Sequence, residues 1–209
     1  MNYGKEIMVI AASYLLGCIS TGYYLTLFRT GNDIRNLYSK STGAKNVGRI
    51  LGKSGFFVVL FGDFFKGVIA MAIALVLQLE PWAILLSLLA VVIGHIWPAQ
   101  LGFRGGKGIA VTFGALLIFD YFLVIGTTIV FLLVFPILKR YVISGLVGIA
   151  ALPLISVLLK QPIVNTMGLS VLVFIILLAH RENIRRTIQS TNFTTNSILH
   201  RKEGVGKDA

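Results

Sequence analysis

Long apolar runs separated by short basic loops dominate this chain. Five runs stand out: Ile7–Phe28, Ser54–Leu79, Pro81–Leu101, Tyr141–Leu159 and Gln161–Ala179. A bilayer core needs about 20 apolar residues per helix, so each run predicts one transmembrane helix. The first run is too long for the apolar part of a signal peptide and no convincing cleavage site follows it, so it reads as a retained span. A further apolar stretch, Ile109–Leu138, carries a single charge, Asp120. It reads either as one tilted helix of about 45 Å or as two short helices turning near Asp120.

Charge decides between these two readings. Two helices place loops 29–53, 102–108 and 139–140 and the tail from 181 on one face, with 16 of the 19 Lys and Arg residues. Lys5 and Lys160 then lie on the other face and Lys66 lies inside a span. One helix instead divides the loop cations 9 and 9. The positive-inside rule therefore predicts seven spans, with the N-terminus outside and the C-terminus cytoplasmic. The helix after Gly108 is then short and must tilt or thin the bilayer. The expected fold is all-α and polytopic, with one transmembrane domain over 1–188 and a polar cytoplasmic tail over 189–209.

Composition agrees. The chain is 56% hydrophobic and 13% charged, with a mean hydropathy of +0.85. The net charge of +11 is what cytoplasmic loops supply, and those loops lack the interleaved aromatics of a nucleic-acid surface, so no nucleic-acid partner is expected. Cys18 is the single cysteine. It forms no internal disulfide, and there is no Cys/His spacing for a metal.

Four places carry candidate chemistry. The first polar loop, Asp33–Arg49, is rich in hydroxyls, amides and bases, including Ser39, Asn46 and Arg49. Such groups donate to phosphate oxygens, arginine bidentately, although a solvated positive-inside loop has the same composition. Gly94-His95-Ile96-Trp97-Pro98 is followed by Phe103-Arg104-Gly105-Gly106-Lys107-Gly108. Glycines open backbone N–H groups to a close ligand, and the neighbouring lysine suits a phosphate. His95 reads first as the residue that closes the third span. Asp63 and Lys66 are i, i+3 neighbours inside the second span; they are either a structural ion pair or part of a polar cavity. His180 and Asn183 share one helix face where the last span ends, beside Arg181, Arg185 and Arg186, which read as interface anchors. His200, in the tail, has no supporting pattern. The glycine-lysine loop is not a Walker A motif, and neither a Gly-x-Ser-x-Gly elbow nor a His-x-x-x-x-Asp acyltransferase signature is present.

Taken in order and spacing over about residues 13–188, these motifs resemble the bacterial acyl-phosphate:glycerol-3-phosphate acyltransferases. The matching residues are Tyr14–Gly22, Asp33-Ile34-Arg35, Ser39, Gly43-Ala44, Asn46, Arg49, Gly52, Asp63-x-x-Lys66-Gly67, the 94–110 segment and His180-Arg181-x-Asn183-Ile184. The chain departs from the family pattern where Tyr38, Lys40, Ser41 and Lys45 replace two glycines, an asparagine and a threonine, where Cys18 and Ser20 replace Ser and Pro, and at Ile143 and Asn192.

The resemblance implies a seven-span enzyme of the bacterial inner membrane that moves a fatty acyl group from acyl phosphate to the sn-1 hydroxyl of glycerol 3-phosphate. The product is lysophosphatidate, for phospholipid biosynthesis. It implies no cofactor or metal, membrane lipid as surroundings, and a functional link to a soluble enzyme that makes acyl phosphate. Lys107, with the backbone of Gly105, Gly106 and Gly108, is expected to neutralise the donor phosphate. Ser39, Gly43, Asn46 and Arg49 are expected to hold phosphate, with Lys66 also lining the site. His180 and Asn183 are expected to orient glycerol 3-phosphate, with Lys107, His180 and Asn183 as the catalytic set. The proton acceptor is either His180 or the donor's own phosphate. A catalytically altered paralogue and a transporter of an organic phosphate are the alternatives.

Overall fold

A computed structural model describes residues 3–187 and 189 of the chain, and among these every regular element is helical. The polar tail beyond residue 189, with His200 and Asn192, lies outside the described residues. The helices are α1 (Gly4–Cys18), α2 (Thr21–Thr30), α3 (Ala44–Val76), α4 (Pro81–Ile96), α5 (Ile109–Phe119), α6 (Tyr121–Leu138), α7 (Tyr141–Ala150), α8 (Leu152–Leu158) and α9 (Ile163–Ala179), followed by α10 (Arg181–Thr187).

Four helical stretches are long and apolar enough to cross a membrane: Gly4–Thr30, Ala44–Val76, Pro81–Leu101 and Tyr121–Leu138. Two bent pairs raise the number to six if each is one span: α7 with α8, bent by 42°, and α9 with α10, bent by 61°. The remaining apolar helix, α5, has 11 residues, about 16 Å of rise against a core of about 30 Å.

The stretch 109–138 does divide at Asp120. Its backbone is extended (φ −164°, ψ 107°) and its carboxylate accepts the N–H of Phe122 at 2.8 Å, capping α6. An aspartate at this position supplies the partner that the first turn of a helix lacks.

Besides the run Tyr141–Leu159, which bends by 42° between α7 and α8, two predicted helices differ in the structure. The apolar run 7–28 is broken at Ile19 and Ser20, both extended. The break frees carbonyls that distant side chains take up: Lys66 donates to Gly17 O and Ile19 O at 3.1 and 2.9 Å, and Gln100 donates to Cys18 O. The second span begins ten residues earlier than its apolar run, because α3 starts at Ala44 and continues through a kink at Gly52 (φ 71°, ψ −164°). Only glycine takes that φ without strain, and it swings the first two turns of α3 away from the long axis.

Close helix approach holds the bundle together. Within lipid no hydrophobic gain separates helix from hydrocarbon, so packing depends on small residues that let backbones meet. A Cβ at Gly67 would lie 2.2 Å from Val111 O, and one at Gly114 would lie 2.0 Å from Phe64 O, so α3 and α5 touch backbone to backbone. Gly17 and Gly94 do the same for α1 and α4. Overpacking at such a position costs about 1–3 kcal/mol. The buried core centres on Leu88, Val92, Leu116, Ile149, Leu172 and Ile176. Phe57, Phe61 and Phe65 form an exposed i, i+4 stripe along α3, as a helix face turned to lipid does.

Candidate active site

The loop between α2 and α3 is built by its own polar side chains. Asp33 accepts the N–H of Arg35 at 2.8 Å and pairs with its guanidinium at 2.6 Å. Arg35 also donates to Leu101 O, which ties this loop to the turn after α4. The guanidinium hydrogen bond holds the Asp33 carboxyl below the usual carboxylate range and raises Arg35. Asn46, in the first turn of α3, is the knot of the loop. Its amide nitrogen faces the carbonyls of Ile34, Leu37 and Ser41, and its oxygen accepts the N–H of Ser39 at 3.1 Å. Buried and fully engaged, Asn46 shapes the site and has no donor left over for a phosphate.

The glycine-rich loop also folds inward. Gly105 donates its N–H to Ile96 O and Gly106 to His95 O, each at 3.0 Å. A Cβ at Gly106 would stand 2.0 Å from Nε2 of His95, and one at Gly105 would stand 2.2 Å from His95 O. These glycines permit close packing on the end of α4. The expectation that their N–H groups cradle a ligand is corrected, because both are already used. Gly108 (φ 86°) turns the chain into α5.

A cavity of about 480 Å³ opens between these loops and the ends of α3, α5, α7 and α9. Of the residues expected at the site, Ser39, Gly43, Asn46 and Arg49 line it from the first loop and α3. Lys107, Gly108, His180 and Asn183 line it from the other side. Lys107 Nζ donates to Asn183 Oδ1 at 2.7 Å, which joins the glycine-lysine loop to α10. His180 is buried, and its Nδ1 meets Ile176 O at 2.9 Å. Opposite a carbonyl that nitrogen carries the proton, so Nε2 of the neutral ring is the basic atom.

Lys66, Gly105 and Gly106 are not on the cavity wall. Lys66 is buried, 3.0 Å from Asp63 Oδ1, and its remaining donors go to the broken end of α1. Its expected contact with substrate is therefore corrected to a structural one: it caps carbonyls that the helix break would leave unpaired. Losing one member of such a buried pair costs about 3–5 kcal/mol.

The wall also includes Ser41, Lys45, Arg186 and Tyr141, to which sequence reasoning gave no role in the site, and Asp63 and His95, for which it left a structural and a functional role open. Nδ1 of His95 has no hydrogen-bond partner and lies 3.6 Å from Asp63 Oδ1. Lys45 stands 4.6 Å over the Tyr141 ring, a cation–π contact. Four cations, Lys45, Arg49, Lys107 and Arg186, thus line the cavity, and the one carboxylate among the lining residues, Asp63, is paired with Lys66. Burial lowers the Lys107 ammonium below the ordinary lysine value; Arg186 and Lys45 push the same way and Glu182 opposes them. Phe56, Leu60, Ile109 and Val142 supply an apolar wall. Among the described residues no cluster of metal ligands occurs.

The fold and the cavity together define an integral membrane protein in which a cationic end and an apolar wall share one site. The glycerol-3-phosphate acyltransferase family model matches residues 7–190, and the chain belongs to this family. It is 43% identical over 187 residues to glycerol-3-phosphate acyltransferase 1 of Desulfitobacterium hafniense, covering 90% of this chain and 93% of that one. It is 38% identical to the enzyme of the same name from Bacillus cereus, covering 87% and 100%. Among solved structures it is similar to PlsY, an integral membrane glycerol 3-phosphate acyltransferase, in its glycerol 3-phosphate form. The TM-score is 0.83 at 30% identity, over 90% of this chain and 94% of that one. The lysophosphatidic acid form of the same protein matches with a TM-score of 0.78 and 28% identity.

Proposed function

We propose that this protein transfers a fatty acyl group from acyl phosphate to the sn-1 hydroxyl of glycerol 3-phosphate, giving lysophosphatidate and inorganic phosphate. The observation that carries the reading is the convergence of Arg49, Lys107, His180 and Asn183 on one cavity with an apolar wall. Both reactants bear phosphate, and one bears a hydrocarbon tail, so a single pocket needs both surfaces. The family name and the solved relatives in glycerol 3-phosphate and lysophosphatidic acid forms support the acceptor and the product. The donor and the position acylated rest on the motif resemblance.

The chemistry needs no covalent intermediate. The acceptor oxygen attacks the acyl carbonyl carbon, the bond from that carbon to the phosphate oxygen breaks, and phosphate leaves with its electron pair. Lys107, held by Asn183 at 2.7 Å, neutralises charge growing on the departing phosphate. Arg49 and Ser39 hold a phosphate, and the N-terminus of α5, whose Gly108 and Ile109 line the same cavity, adds its dipole. Asn183 and His180 orient glycerol 3-phosphate. The acceptor's proton goes to Nε2 of His180 or to the leaving phosphate. Lys107 serves only while protonated, so phosphate affinity falls as pH rises through its lowered value, earlier than for a free lysine near about 10.4.

In this reading the protein resides in the bacterial cell membrane. It has seven spans, with α5 as the short one, the N-terminus outside and the cavity at the cytoplasmic face. A soluble enzyme that makes acyl phosphate supplies the donor. The test is turnover by purified protein with palmitoyl phosphate, palmitoyl-CoA and palmitoyl-acyl-carrier protein, each with glycerol 3-phosphate. Only the first is expected to give lysophosphatidate; equal or faster turnover of a thioester would overturn the donor assignment.

A further inference from the structure

Glycine inside a helix is costly, by about 1 kcal/mol relative to alanine, so each instance calls for a local reason. Here most have one. Gly17, Gly67, Gly94 and Gly114 let backbones touch, and Gly52 takes a positive φ. Among the described glycines interior to the helices, Gly145 alone has neither a positive φ nor any heavy atom within 4 Å of where a Cβ would stand. Packing and backbone conformation therefore leave it unexplained. What it does border is the cavity, one turn along α7 from Tyr141.

From α3 the same cavity is lined by Phe56 and Leu60. The contact that joins α3 to α7 is that of Lys45 with Tyr141, at the mouth. Val142 and Gly145 line the cavity from α7. A side chain at 145 would enter open space beside a cavity that the apolar Phe56, Leu60, Ile109 and Val142 also line.

We propose that Gly145 sets the width of the acyl passage and so determines the chain length that this enzyme accepts. The absence of a side chain keeps a channel open between α3 and α7, along which the hydrocarbon of a long-chain substrate runs past the phosphate cluster. A longer side chain at 145 occupies that channel and leaves room for a short chain only. The inference rests on the reading that an acyl chain occupies the apolar wall of the cavity.

The test is a size series, Gly145→Ala, Gly145→Val and Gly145→Leu, with kcat/KM measured for palmitoyl phosphate and octanoyl phosphate. The ratio of the two is expected to fall stepwise with side-chain volume, by about tenfold or more at leucine. A merely structural role for Gly145 lowers both rates together and leaves the ratio unchanged, which overturns the proposal. If the leucine variant fails to fold, the alanine and valine variants decide by the same ratio, since alanine favours the helix at this position. The relative affinity for 16-carbon and 8-carbon lysophosphatidate gives a readout independent of the donor. It must fall in the same order, so a wrong donor assignment and a wrong role for Gly145 are told apart.

Discussion

At the scale of single residues, the first loop keeps a path that its sequence makes expensive. Tyr38 and Lys40 take left-handed backbone conformations, φ 44° and 56°, at positions where the family pattern has glycine. A non-glycine residue there costs about 1–2 kcal/mol, and part of that is offset because glycine loses more freedom on folding. Both side chains are exposed, so little packing is lost with them. Tyr38→Gly and Lys40→Gly are each expected to stabilise the protein by about 0.5–1 kcal/mol, raising Tm by about 1–4 °C in a thermal unfolding experiment in detergent. A fall in Tm would mean that the side chains hold the loop. These two replacements do not close the site, because the loop still presents Ser39 and Gly43 to the cavity, and α3 presents Arg49.

At the scale of elements, what the sequence revealed depended on how local the cause was. The division of residues 109–138 was readable because Asp120 is a single charge in an apolar stretch and caps the helix that follows it. The break between α1 and α2 was not. The run 7–28 carries no charge, so Ser20-Thr21-Gly22 alone marked the place, and the break is sustained by Lys66 and Gln100, which lie far along the chain. The early start of α3 was hidden for a different reason. Its first turns carry Lys45, Asn46, Arg49 and Lys53, which interrupt the continuous apolar run by which a span is read, and their apolar face (Ala44, Val47, Leu51) packs in the cluster of Ile34 and Val59. Ser39, Arg49, Lys107, His180 and Asn183 were picked out by the order and spacing of the motifs that carry the family resemblance, and the structure brings them to one cavity. Whether Asn46 and the backbone of Gly105 and Gly106 faced a ligand or the fold was not legible, because those donors are claimed by loop carbonyls that only tertiary structure brings near.

At the scale of the whole molecule, the seven-span proposal and the site make one claim: the basic loops that this proposal places in the cytoplasm are also the loops that build the cavity. Lys45, Arg49, Lys107 and Arg186 come from three separate segments that the seven-span reading places on the same side. In a Cys18→Ser background, cysteines at Lys5 and Lys160 are expected to react with an impermeant thiol reagent added outside intact cells. Cysteines at Arg104 and Lys139 should react only after permeabilisation. Labelling of the second pair in intact cells would reverse or break the topology. The most direct measurement of the central claim is the rate of lysophosphatidate formation by purified wild-type protein and Lys107→Ala, matched for folding by their thermal transitions. The account predicts that the variant loses activity by about 100-fold or more, since the charge that stabilises the departing phosphate is gone. Retention of more than about a tenth of the wild-type rate, a loss of under about 1.4 kcal/mol, would contradict it.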